Sequence, residues 1–168
     1  MITDIHEKDL HRLVEQFQKS FELYKNSSEN NEQECRDEFI SPLLECFGWD
    51  VSNRQGKLPQ YKDVVVEKFA NERDRPDYTL TLNGLSKIFV EVKKPSVDIT
   101  KDKAPALQAR RYGWNAGHKI VLLTNFEYLC VYDIIGGHQC NHNKYTCCNV
   151  GRSSYEHSCN RRTTLGVR

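Results

Sequence analysis

The sequence lacks any long apolar run. None of its 168 residues belongs to a stretch long enough to cross a membrane, and the charged amino terminus has no hydrophobic region of the signal-peptide kind. A G-x-x-x-x-G-K-[ST] phosphate loop is also missing, and nothing resembles a methyl-donor site. We therefore expect a cytoplasmic protein that has no membrane partner and binds neither ATP nor a methyl donor.

A strong charge of one sign is missing too. The chain carries 24 basic and 23 acidic residues. Five of the basic residues and a single acid fall within residues 136–168, so the segment before them is acidic overall. An acidic surface repels polyanions such as nucleic acid. The length allows one domain with a real core plus an appendage, and we expect its affinity for nucleic acid to require a partner module.

The most informative pattern is Asp77 followed by Glu91-Val92-Lys93. In residues 77–82 the apolar side chains alternate with Asp77 and two threonines, and in residues 87–93 Glu91 and Lys93 point away from the apolar row. This period of two indicates two β-strands that each bury one face. Asp77, Glu91 and Lys93 therefore belong to polar rows that can line one cleft.

The Asn-Gly pair at 83–84 indicates a hairpin between these strands, because both residue types tolerate positive φ. A plain two-residue loop would place Asp77 opposite Val90, which matches a polar row with an apolar row. We therefore predict a three-residue loop over 83–85 or an equivalent bulge. Either arrangement sets Asp77 opposite Glu91.

Two carboxylates and a lysine at this spacing suit phosphodiester hydrolysis. Carboxylate oxygens are the ligands that Mg²⁺ prefers, and the bound ion neutralises the phosphate and lowers the pKa of water. Lys93 beside the metal can position or activate the attacking water and stabilise developing negative charge. The alternative is structural: Asp77 ends a strand, and Glu91 and Lys93 form an exposed ion pair.

The apolar periodicity also predicts the order of elements. Helical spacing covers residues 1–28, the region from Phe39 to Phe47, and residues 103–112. Strands are predicted within residues 63–69, 77–82, 87–93, 119–124 and 128–132. The order α-α-β-β-β-α-β-β is typical of an α/β domain with a mixed sheet flanked by helices.

Several separate blocks in one order resemble a known family. They are Glu32-Gln-Glu-Cys-Arg36, Gly48-Trp-Asp-Val51, Pro76-Asp77 with Glu91-Val-Lys-Lys-Pro95, Gln108-Ala-Arg-Arg-Tyr-Gly-Trp-Asn115 and Leu123-Thr-Asn-Phe126. The set resembles the PD-(D/E)XK nuclease superfamily, specifically the amino-terminal endonuclease domain of type I restriction R subunits and of type IIG restriction-modification enzymes. The resemblance implies a restriction-endonuclease-like core and Mg²⁺-dependent cleavage of double-stranded DNA, with Mn²⁺ able to substitute.

The resemblance assigns catalytic roles to four residues. Asp77 and Glu91 match the metal-binding acids, and Lys93 matches the catalytic lysine. Glu32 matches a helix glutamate that approaches the metal in such enzymes, with Glu34 as the competing candidate. An acid in the first turn of a helix also complements the helix dipole, so a structural role for Glu32 stays open.

A further block of the resemblance concerns DNA contacts. Gln108 and Tyr112 match a Q-x-x-x-Y element, whose i, i+4 spacing puts both side chains on one helix face. They can contact DNA or simply hydrogen-bond each other. The neighbouring Arg111 suits a phosphate contact, although a surface arginine often contacts only water.

The last segment departs from the family. Residues 136–168 are polar and basic and lack apolar periodicity, so we expect a disordered Cys/His-containing tail after a nuclease domain over residues 1–135. Zinc binding is disfavoured because the tail has no C-x-x-C pair, and disulfides are disfavoured in the expected cytoplasmic setting. The resembled enzymes continue toward a helicase, or toward a methyltransferase and specificity module, and we expect such modules as partners.

Three functional hypotheses follow. The first is a metal-dependent DNA endonuclease domain of a restriction system. The second is a catalytically silent DNA-binding or subunit-docking module, and the third is a truncated remnant of a larger restriction enzyme. The intact Asp77, Glu91 and Lys93 favour the first hypothesis at the level of chemistry, whereas the unusual tail favours the third at the level of the gene.

Overall fold

The computed structural model describes residues 4–26, 32–67, 75–134 and 145–150. Within them, six strands form one sheet in the order β1-β2-β3-β4-β5-β6. The β3–β4 pair is parallel, and the other neighbouring pairs are antiparallel. The strands are β1 (Val64–Val66), β2 (Tyr78–Leu82), β3 (Leu85–Val92), β4 (Ile120–Thr124), β5 (Tyr128–Asp133) and β6 (Tyr145–Asn149).

The helices precede the sheet or cross over it. They are α1 (Asp4–Lys19), α2 (Phe21–Asn26), α3 (Glu32–Cys35), α4 (Ser41–Cys46) and α5 (Lys103–Asn115). A π-helical turn, Arg36–Ile40, joins α3 to α4. Pro42 has no N–H to continue the α-helical hydrogen bonds, which accounts for the irregular turn just before it. No described helix is long and apolar enough to cross a membrane.

Helix α5 makes the crossover between the parallel strands β3 and β4. It begins where the side chain of Asp102 accepts a hydrogen bond from the N–H of Ala104 at 2.9 Å, an N-cap. It lies close against β4 because residue 113 is glycine. A Cβ at Gly113 would lie 2.2 Å from Cγ2 of Val121, so no larger residue fits without a shift of the helix.

This architecture confirms the predicted α/β class, a mixed sheet flanked by helices. The predicted order is matched when α1 with α2, and α3 with α4, are each taken as one helical region. Strand β6 is the difference, because the sequence predicts no regular structure in residues 145–149. These residues pair with the edge of β5, whose unpaired backbone groups accept another strand. Residues 136–144 and 151–168 of the predicted tail lie outside the described residues.

One cysteine prediction is also wrong. Cys130 of β5 is disulfide-bonded, whereas the expected cytoplasmic setting disfavours disulfides. The cellular compartment carries no information about which residues the fold brings close together.

Both faces of the sheet are covered. On one face the strands pack against α1 and the α3–α4 region, where Phe17 and Phe39 are fully buried. On the other face Phe89 and Val121 pack under α5. The polar row that includes Glu91 shares this second face with Phe89, two residues away. It is therefore buried instead of open to solvent, and Glu91 is only 3% exposed.

Candidate metal centre

A β-bulge in the β2–β3 hairpin decides where Asp77 lies. The turn has two residues, so the predicted three-residue loop is wrong. Between the turn and the body of the hairpin the register shifts by one, which makes Lys87 an extra residue of β3 and confirms the predicted alternative, an equivalent bulge. Continued by one residue beyond β2, the register sets Asp77 opposite Glu91. The pairs from the turn outward are Leu82–Leu85, Thr81–Ser86, Leu80–Ile88, Thr79–Phe89 and Tyr78–Val90.

The turn itself needs its two residue types. Asn83 and Gly84 both have positive φ, at 52° and 79°. Two successive residues of positive φ are typical of the tight turns that match the twist of a hairpin. Gly84 is constrained a second time, because a Cβ there would lie 2.7 Å from the carbonyl oxygen of Gln60. The turn residues thus set the pairing of Leu82 with Leu85, and the bulge shifts the register of the pairs beyond it by one residue.

Asp77 is held at two points. Its Oδ1 accepts a hydrogen bond from Nη1 of Arg36 at 2.8 Å, which is also a salt bridge. Its Oδ2 accepts a hydrogen bond from the backbone N–H of Val92 at 2.7 Å. The carboxylate is therefore fixed between the helical region and β3.

Lys93 links the other two acids. Its Nζ donates a hydrogen bond to Oε1 of Glu91 at 2.7 Å and lies 3.7 Å from Oε2 of Glu32. The structure thus brings Glu32, from the start of α3, to the lysine of β3. Glu34 is exposed, and its charge acts on Tyr24 at another part of the helical surface. Of the two candidate glutamates, Glu32 is the one at this centre.

The three acids perturb one another. Burial raises the pKa of Glu91 to about 7, the hydrogen bond from Lys93 opposes the rise, and the charges of Asp77 and Glu32 add to it. Burial also raises the pKa of Asp77, against the Val92 N–H and Arg36, and it raises the pKa of Glu32, against Lys93. Neighbouring carboxylates disfavour one another's ionised form, and a nearby cation stabilises that form.

Lys93 has the opposite balance. Burial lowers the pKa of its ammonium group, but the hydrogen bond to Glu91 and the charges of Glu91, Glu32 and Asp77 outweigh burial, so the pKa is raised above its ordinary value. The side chain is a stable cation in this environment. It can donate hydrogen bonds and stabilise negative charge, and it is a poor proton acceptor at neutral pH.

The chemistry of the donor set suits a hard divalent cation. Among the described residues, no group of three or more Asp, Glu, His or Cys side chains is placed so that it could already hold a metal ion. Yet Oε2 of Glu91 is buried and has no hydrogen-bond partner. A carboxylate oxygen that already accepts one hydrogen bond keeps a further lone pair, which applies to Asp77. Oxygen ligands of this kind fit Mg²⁺, which takes few protein ligands and keeps several waters.

The residues of the DNA-contact prediction differ in exposure. Nε2 of Gln108 donates a hydrogen bond to the hydroxyl of Tyr112 at 2.8 Å, and Tyr112 is only 6% exposed in the core under α5. This geometry favours the alternative in which the two side chains bond each other. Arg111 is exposed, and its guanidinium lies over the Tyr112 ring at 5.4 Å from the centroid. Arg111 is therefore the most exposed of the three side chains.

Two polar residues at or near the centre have no role assigned from the sequence. Arg36 is 8% exposed and contacts Asp77, and Thr79 is 1% exposed with no partner for its Oγ1. The spacing Glu32-x-x-x-Arg36 places both residues on one helical face, a signal that could have identified Arg36. No pattern singles out Thr79, because a threonine in a strand is ordinary.

A separate cavity lies between α1 and α4. Its volume is about 410 Å³, and it contains none of the acids above. Its charged lining is partly paired, since Arg12 lies near Asp9 and Arg54 near Glu45. These ion pairs do not identify a ligand for the cavity. The candidate functional site is therefore the cluster of Asp77, Glu91 and Lys93.

Comparison with known proteins shows what the chain is similar to. Residues 62–139 match the family described as the type I restriction enzyme R protein N terminus, a range that includes Asp77, Glu91 and Lys93. Over 135 residues the chain is 41% identical to the type II restriction enzyme and methyltransferase RM.Eco57I of Escherichia coli. The match covers 77% of this chain and 13% of that relative. No solved structure is similar enough to count as a match.

Proposed function

The chain belongs with the N-terminal domains of restriction enzymes, and on that premise we propose that it is a metal-dependent endonuclease domain of the PD-(D/E)XK type that hydrolyses double-stranded DNA. The bulge at Lys87 carries the proposal. Without it, Asp77 would face Val90, and with it Asp77 faces Glu91 next to Lys93. Bulges recur beside active sites, where one extra residue redirects a side chain.

Asp77, Glu91 and Glu32 would hold Mg²⁺, or Mn²⁺ in its place. The ion supplies a Lewis acid for the phosphate and a bound water of lowered pKa. The unpartnered Oε2 of Glu91 supports its role as a ligand, because a cation would satisfy a buried oxygen that now has no partner. Glu32 reaches the centre from α3, as its 3.7 Å approach to Lys93 indicates.

Lys93 would act on the attacking water and the phosphate. The hydrogen bond to Glu91 and the charges of Glu91, Glu32 and Asp77 raise the pKa of its ammonium group. We infer that it orients the attacking water or the phosphate through its N–H donors and stabilises the charge that develops as the bond breaks. The ion pair between Nζ of Lys93 and Oε1 of Glu91, at 2.7 Å, would hold the side chain in position for this role.

Arg111 is exposed and would suit a DNA phosphate, whereas Gln108 and Tyr112 would position α5 through their mutual hydrogen bond. The acidic character of the chain before residue 136 makes strong nonspecific binding unfavourable. We propose that a helicase, or a methyltransferase with a specificity module, supplies most of the affinity and the sequence choice.

Nicking of supercoiled plasmid tests the proposal. The purified chain is incubated with Mg²⁺ or Mn²⁺, with EDTA, and with each of the variants Asp77→Asn and Lys93→Met. We expect nicking that requires the metal and falls at least roughly a hundredfold in both variants, since the electrostatic contribution of single active-site groups is of this size. Asp9→Asn, which removes a carboxylate from the surface of α1, should nick at the wild-type rate.

The same experiment distinguishes a nuclease from a catalytically silent module. A chain that unfolds cooperatively, and therefore is folded, but leaves plasmid intact at every metal concentration would contradict the nuclease proposal. It would favour a DNA-binding or docking role, in which the ion pairs of Asp77 with Arg36 and of Glu91 with Lys93 are structural.

A further inference from the structure

Arg36 is a buried arginine that spans two parts of the molecule. It lies at the start of the π-helical turn, and its side chain reaches Asp77 just before β2. A buried guanidinium is costly to desolvate unless several acceptors surround it. Arg36 is 8% exposed, and its two terminal nitrogens meet three such acceptors, whereas its Nε has no partner among the described residues.

The acceptors divide the guanidinium between the two sides. Nη1 donates to Oδ1 of Asp77 at 2.8 Å, whereas Nη2 donates to Oε1 of Glu67 at 2.7 Å and also to Gln33. Glu67 is fixed in turn, because its second oxygen pairs with Arg75 at 2.6 Å. The planar fork of an arginine can hold two carboxylates at once, which a lysine cannot do.

The same residue fixes the helical side. Arg36 follows Glu32 by four residues, and its carbonyl oxygen accepts a hydrogen bond from the Tyr78 hydroxyl at 3.3 Å. The helical segment that carries Glu32 is thus tied to β2 by the backbone and by the side chain of one residue. Asp77 and Glu32 come from different elements. Arg36 contacts Asp77 directly and belongs to the same helical segment as Glu32.

We propose that Arg36 is a positioning residue for the metal-binding acids, which holds the Asp77 carboxylate and the Glu32 segment at the spacing that a divalent cation requires. The proposal rests on the proposed nuclease function. Groups that orient metal ligands change metal affinity by roughly 10–100-fold when they are removed.

A competing effect has the opposite sign. The positive charge of Arg36 repels a metal ion at the centre. By Coulomb's law alone, its removal would therefore strengthen metal binding. Screening by Glu67, which neutralises the same guanidinium, reduces this repulsion. Misplacement of Asp77 acts directly on a ligand, so we expect the loss of orientation to exceed the gain in charge.

Mn²⁺ binding to the full chain, measured by isothermal titration calorimetry, tests the proposal together with plasmid nicking. We expect the dissociation constant of Mn²⁺ to rise at least about 10-fold in Arg36→Met and less in Arg36→Lys, which keeps one of the two ion pairs. The Mn²⁺ concentration for half-maximal nicking should rise in parallel, with a smaller change in the rate at saturating Mn²⁺. Arg54→Met removes an arginine paired with Glu45 on the surface and should change neither value.

The outcomes separate the two proposals. Wild-type binding and nicking with unchanged or tighter Mn²⁺ binding in both Arg36 variants would overturn the role of Arg36 alone. A folded wild-type chain that neither binds Mn²⁺ nor nicks DNA would overturn the nuclease proposal and the role of Arg36 with it. If Arg36→Met fails to unfold cooperatively, Arg36→Lys decides, and an unchanged Mn²⁺ affinity in that variant counts against the proposal.

Discussion

At the residue scale, Glu91 is a carboxylate whose burial is unfavourable. One of its oxygens accepts a hydrogen bond from Lys93, the other has no partner among the described residues, and the residue is only 3% exposed. A buried carboxylate with an unsatisfied oxygen destabilises a fold. A role as a metal ligand at the proposed centre would account for keeping such a group despite its cost in stability.

The conflict gives a pH-dependent prediction for Glu91→Gln in the absence of metal. Since the pKa of Glu91 is about 7 in the folded protein and ordinarily 4.5, the folded state holds this proton more tightly than the unfolded chain. The stabilising effect of the proton is complete below about pH 4.5 and is lost as the pH rises through about 7. The variant does not titrate, so it should melt roughly 3–6 °C above wild type at pH 8 and close to wild type at pH 4.5.

Thermal unfolding followed by circular dichroism, with EDTA present, measures the difference. Glu15→Gln removes a glutamate from the exposed side of α1 and should leave the melting temperature within about 1 °C of wild type at both pH values. A Glu91→Gln variant that is less stable than wild type at pH 8 would contradict a destabilising role for this carboxylate.

At the scale of elements, the β2–β3 hairpin determines whether the centre exists. Lys87 is exposed and makes no contribution to the core, so its side chain is dispensable. The bulge at Lys87 absorbs one extra residue, because a regular ladder over all the residues of β3 would pair Asp77 with Val90. The arrangement of the candidate centre therefore depends on this bulge.

Deletion of Lys87 tests this account of the register. With the Asn83-Gly84 turn kept, the deletion removes the bulge and leaves a regular ladder, in which Leu80 still pairs with Ile88 and Asp77 still lies opposite Glu91. We expect this variant to unfold cooperatively and to melt within roughly 5 °C of wild type, since the core side chains of β3 keep their face. Lys87→Ala keeps the bulge and should melt within roughly 2 °C of wild type. Loss of cooperative unfolding in the deletion variant alone would contradict this register.

The sequence predicts the elements near the centre well for a physical reason. Alternation along β2 and β3 and the Asn-Gly turn are local signals, and matching polar rows across the hairpin requires one extra residue. The choice between a longer loop and a bulge at Lys87 is not local, because the turn also packs against Gln60. The burial of Glu91 could not be predicted either, since it depends on how α5 lies across the sheet, and β6 depends on an edge that only the assembled sheet provides.

At the scale of the whole molecule, the chain is related to part of a larger kind of enzyme. It spans 13% of the length of RM.Eco57I, and its own charge is close to balanced. A domain of this kind gains little affinity for DNA from long-range electrostatics. We therefore expect slow nicking with little sequence preference from the chain alone, stronger at low salt, where phosphate contacts such as that of Arg111 are least screened.

The most direct measurement compares plasmid nicking rates of wild type, Asp77→Asn, Lys93→Met and the double variant under saturating Mg²⁺. Residues that act as one catalytic unit lose activity together, so the double variant should be no slower than the slower single variant. Wild-type nicking that both single substitutions and their combination reduce to the same low rate is the result we expect. Nicking by Asp77→Asn at the wild-type rate, with the protein folded, would contradict a metal-dependent nuclease centre at Asp77, Glu91 and Lys93.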